Sequence, residues 1–230
     1  MPENKAILLW KLLFFSVLGG YCLLYAPYGV NETDGGFLTG LAWQVLEGKT
    51  LYRNIVYVRP PLPVLLRAGE LMLLPEQWGV IGERYIFFLK VAAYSWLAAA
   101  VLTSGARRWL LAVFGFVVSV HCYPPMAWHT VDGILFAVLA VWCFVGSSSS
   151  GGTPDSAWRA VLAGAFVFAA FLCKQSFYPM AAVFVLLLFA IKNAKKATLV
   201  TAGFTCCLAL FWWFMGSRGL ITAYLDLTSE

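Results

Sequence analysis

Apolar runs approaching twenty residues recur along this chain with very little charge inside them, and that recurrence limits what the chain can become. The first, from Ala6 to Tyr25, carries a single charged side chain, Lys11. A stretch of this length matches the hydrocarbon thickness of a bilayer, where no water is present to bond the backbone, so its N–H and C=O groups must be satisfied internally by a helix or by a closed barrel. The runs do not alternate apolar with polar residues as barrel strands do, which leaves helices. With 61% hydrophobic and 12% charged residues over 230 positions, the chain also has more apolar surface than a soluble domain of its size could bury. The expected fold class is an all-α integral membrane protein, a single domain over residues 1–230 with no soluble C-terminal domain.

Seven segments are expected to span: approximately Ala6 to Tyr25, Glu83 to Leu102, Trp109 to His121, Val131 to Val145, Ala157 to Leu172, Pro179 to Ile191 and Ala197 to Met215. Lys5 and Lys11 give the first the charge order of a signal peptide, but it is too long and no small-x-small cleavage site follows, so it reads as an uncleaved helix. A cytoplasmic N-terminus places Arg107, Arg108, Arg159, Lys192, Lys195 and Lys196 in inside loops and leaves the loop Cys122 to Thr130 without lysine or arginine, as the positive-inside rule asks. The net charge of +5 is spread between apolar segments and forms no basic stripe, which argues against nucleic acid as a partner. The six cysteines lack metal-ligand spacing and read as small apolar packers. Ser147 to Gly152 reads as a flexible inside linker.

The first outer loop, residues 28–82, departs from the charge rule, carrying Lys49, Arg53, Arg59 and Arg67. Long loops translocate largely regardless of charge, so this marks either an ordinary long loop or a functional one. Within it, Phe37, Leu38, Leu41, Ala42, Val45 and Leu46 recur at helical spacing from Gly35 to Glu47, predicting an amphipathic surface helix stopped by Gly48. A second piece, Leu62 to Leu74, is broken by Arg67 and Glu70 and ended by Pro75; it too is expected on the outer surface, because counting it as a span would reverse every later loop.

Charged groups at a membrane face are candidates for chemistry. In NETDGG, Glu32 and Asp34 could jointly hold a divalent cation, Mg or Mn, or one could take a proton from a hydroxyl; Asp34 could equally cap the helix that begins at Gly35. In YVRPPLP the paired prolines stiffen the chain around Arg59, whose guanidinium suits a phosphate or an interfacial anchor. His129 and Asp132, three residues apart at the mouth of the fourth span, could face one cavity, and Lys174 in CKQSF could meet a lipid phosphate or simply snorkel. Serine triads, phosphate-binding glycine loops and zinc motifs are absent.

An apolar first helix, then NETDGG, a surface helix ending in EGKTLYRNIVYVRPPLP, PPMAWHTVDG and CKQS, over roughly Ala6 to Met215, together resemble the GT-C membrane glycosyltransferases. The branch that looks most similar is glycosyltransferase family 39, the bacterial enzymes related to protein O-mannosyltransferases and the lipid A aminoarabinose transferase. The resemblance implies an inverting transfer of a sugar from a polyprenyl-phosphate donor to an acceptor (lipid, glycan or protein) on the outer, periplasmic side of a bacterial inner membrane. It implies that Asp34 acts near the acceptor as base or metal-linked carboxylate, that Glu32 matches the first acid of a two-acid pattern, and that Asp132 loosely matches an acidic position in the second outer loop. Arg59 and Lys174 are assigned to the donor phosphate from charge and side. The seven segments match the family's shared core, although its members usually continue well beyond this length. Two other readings stand beside this one: a non-catalytic accessory protein that binds a polyprenyl lipid, and a lipid-linked sugar flippase or transporter, for which charge deep in the membrane is the expected sign.

Overall fold

A computed structural model describes residues 3–29, 34–149, 154–190 and 194–228, and among these it contains helices and no strands. In chain order the helices are α1 (Glu3–Leu24), α2 (Asp34–Leu46), α3 (Leu62–Leu73), α4 (Gly79–Leu102), α5 (Gly105–Cys122), α6 (His129–Ser149), α7 (Pro154–Phe171), α8 (Tyr178–Ala190), α9 (Ala194–Ser217) and α10 (Ile221–Thr228). All seven expected segments are helical, as α1 and α4 through α9, and the two pieces of the long loop are α2 and α3. Among the described residues, four segments are long and apolar enough to cross a membrane: α1, Glu76–Leu102, the His129–Gly146 part of α6, and α9. Helices α5, α7 and α8 do not meet both criteria.

Several helices run past their expected ends for one reason, α4 for example beginning at Gly79 instead of Glu83. Helix α5 starts four residues before Trp109, and α6 continues through Ser149 into the serine cluster expected to be a linker; residues 150–153 lie outside the described part. Helical hydrogen bonding extends through polar ends that apolar length alone does not count.

The helices expose much of their apolar surface. Leu8, Leu12 and Phe15 on α1, Met72 and Leu73 on α3, and Leu210 and Trp213 on α9 are all exposed, which is stable where the surroundings are themselves apolar. Inside, one cluster joins α1, α4, α5 and α6 around Phe14, Phe87, Phe88 and Phe116, and a second joins α6 through α9 around Ala140, Ala163 and Val200. A third packs α2 and α3 against the end of α9 and α10 through Leu41, Val64, Met215 and Tyr224. Helices α2 and α9 finish in the same way. Gly48 (φ +88°) and Gly219 (φ +62°) adopt the left-handed conformation, and the following residues return N–H groups to Gln44 and Met215, 3.0 and 2.9 Å away.

Helices α7 and α9 approach closely through glycine. A Cβ on Gly164 would run into the Val200 carbonyl, and one on Gly203 into the Val161 carbonyl. Where lipid removes the hydrophobic drive between helices, such small-residue contacts supply association by packing. Gly164→Ala and Gly203→Ala should each lower the unfolding temperature in detergent, at an overpacking cost of about 1–3 kcal/mol. Gly19→Ala on α1, where nothing lies within 4 Å, should leave it unchanged or raise it, because there only the helix-propensity gain acts.

Candidate functional site

The candidate residues gather at the end of the bundle where α1, α5, α7 and α9 finish and α4 and α6 begin. The organising group is Arg67. The buried face of α3 consists of Pro63, Val64, Arg67, Ala68 and Leu71, so helical spacing drives a guanidinium into the interior, where it is 1% exposed. A buried charge is tolerated when it is paired and hydrogen-bonded. Its Nε donates to Thr39 Oγ1 at 3.0 Å, Nη1 to Glu70 Oε2 at 3.1 Å, and Nη2 to the Gly79 carbonyl. Thr39 in turn donates to Glu83 Oε2 at 2.8 Å, and Arg67 Nη2 lies 3.5 Å from the same carboxylate. One guanidinium thus ties α2, α3 and α4 together.

Lys90 continues the network. Its Cα is about 16 Å along α4 from Gly79 at 1.5 Å per residue. Helical side chains lean toward the N-terminus, however, and a lysine stem can lie along apolar surface while its head seeks polar partners. The ammonium meets Glu70 Oε1 and Asp132 Oδ1, each at 2.5 Å, and Asp132 is 3% exposed. Arg84, beside Glu83, donates to the carbonyls of Tyr25 and Ala26 at 2.8 and 2.9 Å and holds the end of α1 to the start of α4. Three carboxylates, Glu70, Glu83 and Asp132, are therefore paired with two cations, Arg67 and Lys90, in a largely buried region.

One turn before Asp132 is a separate basic cluster. Arg59 Nη1 lies 3.1 Å from both ring nitrogens of His129, and because a guanidinium only donates, whichever nitrogen receives its bond carries no proton. Lys174 Nζ donates to Thr130 Oγ1 at 3.2 Å. The strands of backbone carrying Arg59 and Lys174 are bonded directly, Leu62 N–H to the Leu172 carbonyl at 3.2 Å and Gln175 Nε2 to the Val58 carbonyl at 3.0 Å. Tyr52 supports Arg59 from behind by donating its hydroxyl to the Arg59 carbonyl at 2.7 Å. It does so from a left-handed backbone (φ 68°), costly for a tyrosine, held by a 2.8 Å bond from its N–H to the Ile55 carbonyl and by an edge contact with Tyr224. Burial pushes the Tyr52 phenol well up, and it pushes Tyr57 up to about 12 against the opposing pull of Arg59, so both keep their protons.

Asp34 opens α2 and is exposed, with no ion pair among the described residues. Its neighbour Gly35 is wedged at this end: a Cβ there would lie 2.9 Å from both Glu83 Oε1 and Met126 Cβ, so the glycine permits the start of α2 to touch α4 and the loop before α6. Glu32 lies outside the described residues. No three His, Cys, Asp or Glu side chains among the described residues are placed to hold a metal, and Glu83, beside Gly35, is already engaged by Thr39 and Arg67. The expected pairing of Asp34 with Glu32 around a cation thus falls partly outside the described residues.

Of the residues singled out from sequence, Arg59, His129 and Lys174 form one cluster, and Asp132 lies one turn away but faces Lys90 and Glu70 instead of His129's partner. Asp34 reaches the same end without touching them. Glu70, Glu83 and Lys90 were not picked out. Lys90 had a readable signal, a lone charge inside an apolar run, whereas Arg67 and Glu70 read as defects in a surface helix because their partners come from α4 and α6. Comparisons with protein-family models, curated proteins and solved structures return no match for this chain.

The Lys90 bridge has a direct stability consequence. Lys90→Met leaves Asp132 buried without its cation and Glu70 with Arg67 alone, and should cost about 3–5 kcal/mol, read as a fall in unfolding temperature. Adding Asp132→Asn to Lys90→Met should recover most of that loss, since the unpaired buried charge is then gone.

Proposed function

We propose that this chain is a multi-pass membrane glycosyltransferase that takes a sugar from a polyprenyl-phosphate donor and passes it, with inversion, to an acceptor on the outer side of the membrane. The observation that carries the reading is the meeting of Arg59 and Lys174, from segments more than a hundred residues apart, beside His129 and at the same helix ends as the exposed Asp34. In this reading α1 and α4 through α9 are the seven spans of a GT-C core, and α2 and α3 lie at the outer surface. In the short loops, which set orientation, lysine and arginine lie at the opposite end: Arg107 and Arg108 in the first turn of α5, Arg159 in α7, and Lys195 and Lys196 at the start of α9. That distribution favours a cytoplasmic N-terminus in a bacterial inner membrane.

The chemistry follows from the two clusters. Asp34 takes the proton of an acceptor hydroxyl as its oxygen attacks the anomeric carbon, the bond from that carbon to the phosphate oxygen breaks on the opposite face, and Arg59 and Lys174 stabilise the charge gathering on the departing polyprenyl phosphate. His129 positions Arg59, and the ion network behind it holds α2, α3 and α6 in register. All of these steps use side chains of this chain; Mg or Mn dependence is tested by chelation in the same assay.

A second reading has one observation in its favour. Lys90 and Asp132, on two helices of transmembrane length, form with Glu70 of α3 a largely buried acid–base set, the kind of arrangement expected of a lipid-linked sugar flippase or transporter.

Release of polyprenyl phosphate from a polyprenyl-phosphate sugar, measured on the protein in nanodiscs, decides between these. Asp34→Asn should abolish release without abolishing donor binding, and Arg59→Ala or Lys174→Ala should lower turnover by about a hundredfold or more, as for loss of a group that stabilises developing charge. Binding without turnover in the unmodified protein would indicate an accessory lipid binder, and counter-flow of lipid-linked sugar in sealed vesicles without release would indicate a flippase.

A further inference from the structure

A cavity of about 310 Å³ lies between the C-terminal ends of α2 and α9 and the start of α3, on the far side of the Leu62–Leu172 junction from the basic cluster. Val45, Leu51, Leu62, Leu65, Phe211 and Met215 make it apolar, and its size falls at the low end of ligand pockets, roughly 300–1,000 Å³. It opens toward the membrane. Leu65 and Phe214 at its wall are exposed, and α9 continues outward with exposed Leu210 and Trp213. Lys49 and Arg218 border the same cavity, and Arg53 Nη2 donates to the Arg218 carbonyl at 2.6 Å, so three cations surround the mouth.

Among the described residues the one ion pair these cations form is that of Lys49 with Glu47. Arg218 has no ion pair among the described residues, its guanidinium resting instead 5.5 Å from the Phe214 ring centroid. Lys49 approaches one carboxylate, Glu47, at 3.9 Å, and both side chains are largely exposed. The ends of α2 and α9 supply negative half-charges of about −0.5 each. Three positive charges exceed these together with Glu47. An apolar slot open to lipid with excess positive charge at its rim is complementary to an amphiphile that has one anionic head.

We propose that this slot binds an anionic membrane phospholipid, its acyl chain lying between α2, α3 and α9 and its phosphate held by Lys49 and Arg218. The site is separate from the Arg59–Lys174 cluster, and the inference stands whether or not the chain transfers sugar. Because the lipid would seat against the Leu62–Leu172 junction that carries Arg59 and Lys174, its binding would also brace that cluster.

The experiment is native mass spectrometry of the full chain titrated with phosphatidylglycerol or phosphatidylcholine of matched chains. The expected result is one retained phosphatidylglycerol, with phosphatidylcholine and millimolar inorganic phosphate failing to displace it. Lys49→Gln with Arg218→Gln should weaken retention about tenfold or more, the loss expected for charge-assisted hydrogen bonds. Leu65→Trp, which fills the slot from its exposed wall, should weaken it comparably, while lipid-free unfolding temperatures of both variants stay near that of the parent. Asp34→Asn should leave retention unchanged, which separates this result from the fate of the transferase reading. Equal retention of the two phospholipids, or retention unaffected by either variant, would overturn the proposal. So would displacement by equimolar polyprenyl phosphate, which would assign the slot to the donor's chain.

Discussion

The arrangement of this end of the molecule depends on cations that the helices carry into places where water does not follow. Arg67 reaches the interior because it shares a face with Val64, Ala68 and Leu71, and Lys90 because α4 passes through the apolar centre of the bundle. Burying such groups singly would cost several kcal/mol each. The protein offsets this by bringing Glu70, Glu83 and Asp132 to them, side chains carried by α3, α4 and α6. Removing the charges altogether need not destabilise the fold, so the network is best understood as a device that specifies one arrangement of α2, α3, α4 and α6.

That arrangement produces two neighbouring surfaces of different character. Behind Asp132 the charges are satisfied by one another and have no capacity left for a ligand. One turn earlier, at His129, the cations Arg59 and Lys174 are held by a neutral ring and a hydroxyl instead of carboxylates, and so retain their attraction for an anion. The strained Tyr52 and the backbone bonds joining residues 58–62 to 172–175 hold these cations in place. Rigid support behind a pair of partly accessible cations leaves them preorganised for an anion.

The apolar exterior follows a similar division. Side chains exposed on α1 and α9 face a solvent of their own polarity, and cations and aromatic rings meet at the bundle end where α1 begins, as in Lys11 near Trp109 and Arg108 near Trp96. Such pairs suit the headgroup layer, where a ring is wetted at one edge and the charge remains hydrated. At the other end, α2, α3 and α10 form a cap over the end of α9, which creates the slot edged by Lys49 and Arg218.

Much of this was determined by the sequence alone. Apolar length and the absence of alternation dictate helices in lipid, Gly48 ends α2 where its left-handed conformation is needed, and the periodicity of Phe37 to Leu46 places a short helix inside the first loop. These are local properties, set by backbone hydrogen bonding and residues a few positions apart. The pairing of Lys90 with Glu70 and Asp132, the support of Arg59 by His129, and the wedge of Gly35 between Glu83 and Met126 were decided by tertiary structure. Each joins residues from different helices, and whether a buried charge is a defect or a keystone depends on a partner that spacing along one segment cannot reveal. Arg67 shows the difference: along its own helix it interrupts an apolar face, and in the folded chain it is the group around which three helices meet.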